Sequence, residues 1–300
     1  MPIFFVLLLS MVSSTISADS NPYQYLPKFI GKSEAKKEYS FAVHPLHNPS
    51  RLFQIFHPMI EQLNANIPDA HFYLEASKDY PAYDIKLAQA QVDFALPNPY
   101  QTMIASQGPY EVIAKMGDDF NFRGIILTPK HSAIQEVSDL KGKTISYPAP
   151  TALAATMMPQ YFIQQHGVKV MQETQSEYVG SQESSIMNAY HGKVDAAATW
   201  PPPWELLIRE RPEIADKLEV KWQTPPLPNN GVIVRKDVPH EISQQVVEVL
   251  TNLHTHPEGK KILAAMFLSK FEKADNNTYE PVRKFIQDFT EQVRRPSAER

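Results

Sequence analysis

A chain of 300 residues, 43% apolar and 21% charged, is long enough to bury two cores or one large α/β unit. Its formal net charge of −4 offers no basic footprint for nucleic acid. With no cysteine, it has no disulfide framework, thiolate nucleophile, Cys-based zinc site or lipid-attached cysteine, and its 10 glycines form no phosphate-binding loop.

Ile3 to Leu9 is an unbroken apolar run, extended by Met11 and Val12. It falls well short of the ~20 residues of a membrane span. Ile16 and Ala18 stand at the −3 and −1 positions of a signal-peptidase site before Asp19, although no Lys or Arg precedes the run. Residues 1–18 are therefore expected to be a leader and the protein to be exported, soluble and not lipid-anchored. Residues 19–38, with Pro22, Pro27 and Gly31, predict an irregular arm.

Tyr39 to Val43 predicts the first strand. Asn48-Pro49 then caps a helix whose apolar face reads Phe53, Phe56, Ile60 and Leu63. His71 to Glu75 predicts a strand, Tyr80 to about Gln91 a helix and Asp93 to Leu96 a strand. Asn98-Pro99 repeats the cap-plus-proline device before Tyr100. Further strands are predicted over Val112 to Lys115 and Gly124 to Thr128.

Asp139 to Lys143 is a turn and Thr144 to Tyr147 a short strand; Pro148 to Thr151 breaks the chain again before an Ala- and Met-rich helix. Glu177 to Val179 and Val194 to Thr199 predict strands around a helix capped by Ser181, and Gly231 to Arg235 a return strand. Helices over about 240–256, 258–268 and 281–294 finish the chain, the last with Val282, Phe285, Ile286, Phe289 and Val293 on one side. Alternating strands and helices predict an α/β protein with mainly parallel sheets, whose ligands bind beyond the carboxyl ends of the strands. Asn48, Asn98, Thr151 and Ser181 sit at those ends, and four capped helix N-termini around one crevice would suit an anion or a strongly polar ligand.

The segments FAVHPLHNP, DYPAYDIKLAQAQVDFALPNPY, SDLKGKTISYP, YVGSQESSIMNAYHGKVDAAATW and TPPLPNNGVIVRKDVP resemble, in order and spacing, the phosphate/phosphite/phosphonate-binding group of ABC-importer substrate-binding proteins. The likeness runs from about Tyr39 to Lys284 and includes features of the sulfonate binders. It implies the two-lobed type II periplasmic binding fold, with lobe one over 39–135 and 229–300, lobe two over 136–228, and crossings near Ser138 and Asn229. It also implies a periplasmic monomer that closes on a small polar or anionic solute and delivers it to a membrane permease. Presentation to a sensor kinase is the alternative, and no cofactor is expected.

The ligand-binding positions implied are Tyr80, Tyr83, Asn98 and Tyr100 from lobe one, Thr151, Ala152, Ser181, Gln182 and Trp200 from lobe two, and Asn229 at a crossing. His44, His47 and Asn48 are read as polar cleft residues rather than metal ligands, since no Asp/Glu cluster accompanies them. The chain departs from the group in two places. Ala152-Leu153-Ala154-Ala155 replaces a hydroxyl-bearing Ser-Thr-Ser-Gly-like run, and Gln182 replaces a histidine. Charge-assisted hydrogen bonds of roughly 1.5–3 kcal/mol each are lost with those side chains, so phosphonate is not carried over as the ligand. Trp200 adds an aromatic wall suited to a ligand with an apolar part. An enzyme on this fold is disfavoured by the missing cysteine and the missing Gly-x-Ser-x-Gly elbow.

Overall fold

The computed structural model describes residues 36–297, so the leader and nearly all of the arm lie outside the described residues. In chain order the elements are β1 (Lys37–Val43), α1 (Pro49–Asn66), β2 (Ala70–Glu75), α2 (Tyr80–Ala88), β3 (Phe94–Leu96), α3 (Pro99–Ser106), β4 (Tyr110–Met116) and β5 (Ile125–Pro129). Then follow β6 (Thr144–Tyr147), α4 (Met158–Gln165), α5 (Val170–Glu173), β7 (Gln175–Tyr178), α6 (Gln182–Tyr190), β8 (Ala196–Thr199), α7 (Pro201–Glu210), α8 (Glu213–Lys217) and β9 (Leu218–Gln223). The chain closes with β10 (Gly231–Arg235), α9 (His240–Asn252), α10 (Pro257–Ala265), β11 (Phe271–Lys273) and α11 (Glu280–Gln292).

These strands make two sheets, ordered β11-β4-β10-β3-β1-β2 and β7-β6-β8-β5-β9. Each is mixed. β1 runs parallel to β2 and β3, and β6 parallel to β7 and β8, because a helix carries the chain back over the sheet between them. β10 and β5 enter antiparallel, because each arrives from the other lobe. The inner strands β3 (FAL) and β8 (AAAT) are buried throughout, as strands covered on both faces must be.

The first lobe's core is an aromatic cluster in which Phe94 meets Tyr39, Phe41 and Phe72 at centroid distances of 5.6–6.2 Å. Helix α1 packs on it through Leu52, Phe56, Met59, Ile60 and Leu63. Phe53, expected on that face, is 46% exposed and stacks instead beside His57. A helical face runs through positions three and four apart, and the phase carried by Leu52 and Phe56 leaves residue 53 outside.

Sheet membership also moves the first crossing. β5 pairs with β8 and β9 in the second sheet, so the chain leaves lobe one between Met116 and Ile125 rather than near Ser138. β9, where Leu218, Val220 and Trp222 alternate, completes that sheet and has no counterpart among the predicted strands. The return crossing lies between Gln223 and Gly231. The two crossings bond to each other through Thr224 N to Gly124 O (2.9 Å), Gly124 N to Thr224 Oγ1 (2.9 Å) and Leu227 N to Phe122 O (3.0 Å).

Past α11 the chain ties the lobes a further time. Arg294 donates to the Pro150 carbonyl (2.7 Å) and to Gln160 Oε1 (3.1 Å), and Tyr161 meets Phe285 edge-on at 5.3 Å.

Candidate functional site

A narrow, nearly closed cavity lies where the lobes meet. Lobe one contributes His44, Tyr80 and Asn98, which follow the carboxyl ends of β1, β2 and β3. Lobe two contributes Ala152 to Ala155 beyond β6, Gln182 beyond β7 and Trp200 beyond β8. Phe122 and Asn230 come from the two crossings. Parallel strands thus deliver their C-terminal loops to one crevice, the ligand position expected of α/β sheets.

His44 is buried, and its Nδ1 lies 2.9 Å from the Leu96 carbonyl. A carbonyl can only accept, so Nδ1 carries the proton and Nε2 is left with a lone pair. Burial pulls the imidazole down to about 4, against a smaller upward pull from that backbone bond, so the ring is neutral at neutral pH. Tyr80 is equally buried; burial holds its hydroxyl well above the usual phenol range, and a hydrogen bond with Gln182 across the cleft pulls the other way. Gln182 Oε1 is already taken by the Thr199 hydroxyl at 2.9 Å, so its NH₂ faces Tyr80.

The lobe-two wall begins as a wide π-type turn over Leu153–Met157 that runs into α4. The Ala152 carbonyl accepts from Thr156 N (2.8 Å) and Met157 N (3.2 Å), and the amides of Leu153, Ala154 and Ala155 open the helix where no helical carbonyl can accept from them. Gly124 makes this packing feasible, since a Cβ there would stand 2.6 Å from the Ala154 carbonyl and 2.7 Å from Pro159. Phe122 and Trp200 pack at 5.5 Å between centroids and form an aromatic side wall. None of the lining residues is Lys, Arg, Asp or Glu.

Of the expected positions, His44, Tyr80, Asn98, Ala152, Gln182 and Trp200 line this cavity. Asn48 is exposed and caps α1 through Arg51 N (3.0 Å). His47 lies on the same loop outside the cavity, where burial, Arg51 and His44 hold it below the ordinary imidazole value. Tyr83 is wholly buried in the lobe-one core, and Tyr100 packs partly buried against that core. Ser181 turns its hydroxyl to Ser184 N as the cap of α6 (3.1 Å).

Thr151 caps nothing: its hydroxyl has no partner, and only its carbonyl takes part, accepting from Asn98 Nδ2 at 3.1 Å. Three of the four expected caps therefore form, and Asp79 caps α2 before Tyr80 by accepting from Ala82 N at 2.8 Å. Asn229 braces the crossing instead, donating to the Gly117 carbonyl (2.7 Å) and accepting from Tyr279 on its own carbonyl (2.7 Å).

Sequence reasoning missed Asn230 and Phe122, while the Ala152–Ala155 run it placed at the cleft does line the cavity. Asn230 is fully buried and lines the cavity, and its Oδ1 has no hydrogen-bond partner. The Asn229-Asn230 pair was a visible signal, but side chains of adjacent extended residues point to opposite sides, and residue number alone does not say which faces the ligand. Phe122 had no signal beyond a lone aromatic in a polar turn. Among the described residues no group of His, Asp and Glu is placed to hold a metal ion, and no helix is long and apolar enough to cross a membrane.

Comparison with known proteins converges on one family. Residues 41–279 match the model described as ABC transporter, phosphonate, periplasmic substrate-binding protein. A phosphite-binding ABC transporter protein of Prochlorococcus marinus is 23% identical over 57% of this chain and 62% of its own length. The phosphonates-binding periplasmic protein of Escherichia coli is 20% identical over 53% of this chain and 48% of its own. The chain thus spans about half to three fifths of the length of the curated relatives it matches.

The fold extends further than these alignments. A binding component of an ABC phosphonate transporter from Pseudomonas aeruginosa superposes with a TM-score of 0.78 at 19% identity, over 86% of this chain and 88% of that one. The Prochlorococcus marinus PhnD1 structure, in complex with methylphosphonate, gives 0.76 at 20% identity over 85% and 98%. The two sheets flanked by helices are the type II binding-protein architecture. This chain belongs to the family of periplasmic substrate-binding proteins of phosphonate ABC transporters.

Proposed function

We propose that this protein captures a small oxyanion of the phosphonate or phosphite class between its lobes and presents it to the permease of an ABC importer. The observation that carries the proposal is the cleft itself, walled by both lobes and both crossings. The cleft is nearly closed, with about 10 Å³ of free space, so it fits a small ligand admitted when the lobes part. The lost hydroxyl run is offset by other donors: the amides of Leu153 to Ala155, the Gln182 NH₂ and the Tyr80 hydroxyl. Phe122, Leu153 and Trp200 favour an oxyanion that carries an apolar substituent or a P–H bond over fully oxygenated phosphate.

Binding works by hinge closure about the paired crossings, and the protein acts as an exported monomer without turnover. A thermal-shift screen of the purified chain tests this. Methylphosphonate or phosphite should raise the melting temperature more than phosphate or an alkanesulfonate. Saturation at 100 times the dissociation constant adds about 2.7 kcal/mol. A largest shift with phosphate would overturn the ligand class.

A further inference from the structure

Two polar atoms on residues that line the cavity can only accept. Asn230 Oδ1 is fully buried without a partner, while its Nδ2 is turned to Met116 Sδ at 3.5 Å. His44 Nε2 is the second, since Nδ1 spends its proton on Leu96. A doubly charged oxyanion offers only lone pairs to both, and no cationic side chain lines the cavity to offset its second charge.

We infer that the cavity selects the singly protonated form of its oxyanion, whose remaining O–H is donated to Asn230 Oδ1 while the His44 Nε2 lone pair repels the dianion. The inference rests on the oxyanion reading above. It makes an orphaned buried acceptor into a proton detector. The remaining polar groups are donors suited to the ligand's charged oxygens.

The groups around His44 do not confuse the reading above neutral pH. Tyr80 and Tyr83 of α2 meet its ring edge-on at 6.2 and 6.4 Å, and burial pushes both hydroxyls upward. His47 on the same loop is held low by burial, by Arg51 of α1 and by His44. Asp84 of α2 is raised to about 6, chiefly by burial, so it is ionised above neutral pH. His44 itself lies near 4.

The test is the dissociation constant of methylphosphonate, measured by titration calorimetry on the full chain from about pH 7 to about pH 9. Above the ligand's second ionisation it should rise about tenfold per pH unit, the slope of one linked proton. A flat profile through that ionisation would overturn the inference and leave the oxyanion reading standing. Failure of methylphosphonate, phosphite and phosphate to bind at any pH would overturn both.

Hypophosphite, a monoanion without an O–H, supplies a second arm on the unmodified protein. At a pH where phosphite is singly charged, it should bind at least about tenfold more weakly than phosphite; equal binding would overturn the inference. In Asn230→Leu the pH slope should flatten, and a full slope there would overturn the assignment to Asn230.

Discussion

Asn98 holds both lobes with one amide. Its Oδ1 caps α3 by accepting from Gln101 N at 3.0 Å, and its Nδ2 donates across the cleft to the Thr151 carbonyl at 3.1 Å. Asn98→Asp keeps the acceptor that caps the helix but sets a carboxylate oxygen against that carbonyl. Thermal stability should change little, while the closed form loses on the order of 1–3 kcal/mol and affinity falls in proportion. Small-angle scattering of the ligand-saturated variant should show a larger radius of gyration than the unsubstituted protein.

Gly124→Ala should be strongly destabilising. The added Cβ would stand 2.6 Å from a backbone carbonyl and 2.7 Å from a proline ring, neither of which can move aside. Overpacking of this kind costs about 1–3 kcal/mol, read as a lower denaturant midpoint. A variant as stable as the parent would mean that the crossing and α4 do not pack this closely.

Trp200 should report ligand entry. It is the tryptophan in the cavity wall, while Trp204 and Trp222 pack into or against the lobe-two cores. Trp200→Phe keeps a ring beside Phe122 and should lose most of the ligand-induced fluorescence change with a modest loss of affinity. Trp200→Ala should weaken binding further and cost about 3–5 kcal/mol of stability.

Asp84 gives the pH dependence of folding a definite sign. Burial raises its carboxyl from 3.8 to about 6, against the hydrogen bond from Gln101 and with a smaller upward push from Asp79. Between those values the folded state binds more protons than the unfolded one, so stability falls as pH rises through the window. Asp84→Asn should raise stability at pH 7 by roughly 1–3 kcal/mol and flatten the profile between about pH 4 and pH 6. Calorimetric melting across that range checks both.

Arg51 and Glu210 form an ion pair across the lobes at 2.8 Å, both partly exposed. Such pairs contribute about 0–1 kcal/mol and are screened by salt. Arg51→Ala should weaken ligand binding by at most about fivefold at low ionic strength, and the difference should vanish near 1 M salt.

Caps and alternation made most of the fold legible. Asn48, Asn98 and Ser181 announced their helices because a side-chain oxygen serves amides only two or three residues away. Thr151 carried the same signal and does not cap, because Ala152 begins a wide turn instead. Sheet assignment was less legible: whether Ile125–Pro129 joins one sheet or the other depends on partners about 70 to 100 residues away.

The sequence by itself determined the order of most strands and helices, the caps that begin three helices near one crevice, and the family, since local hydrogen bonding and apolar periodicity act over a few residues. Only the tertiary structure decided which side chains face the ligand. Tyr80 and not Tyr83, Asn230 and not Asn229, reach the cavity, because facing is set by helical phase and strand parity once long-range packing fixes each element. The same packing left Asn230 Oδ1 buried without a donor, a property of its surroundings that no reading of its neighbours in the chain contains.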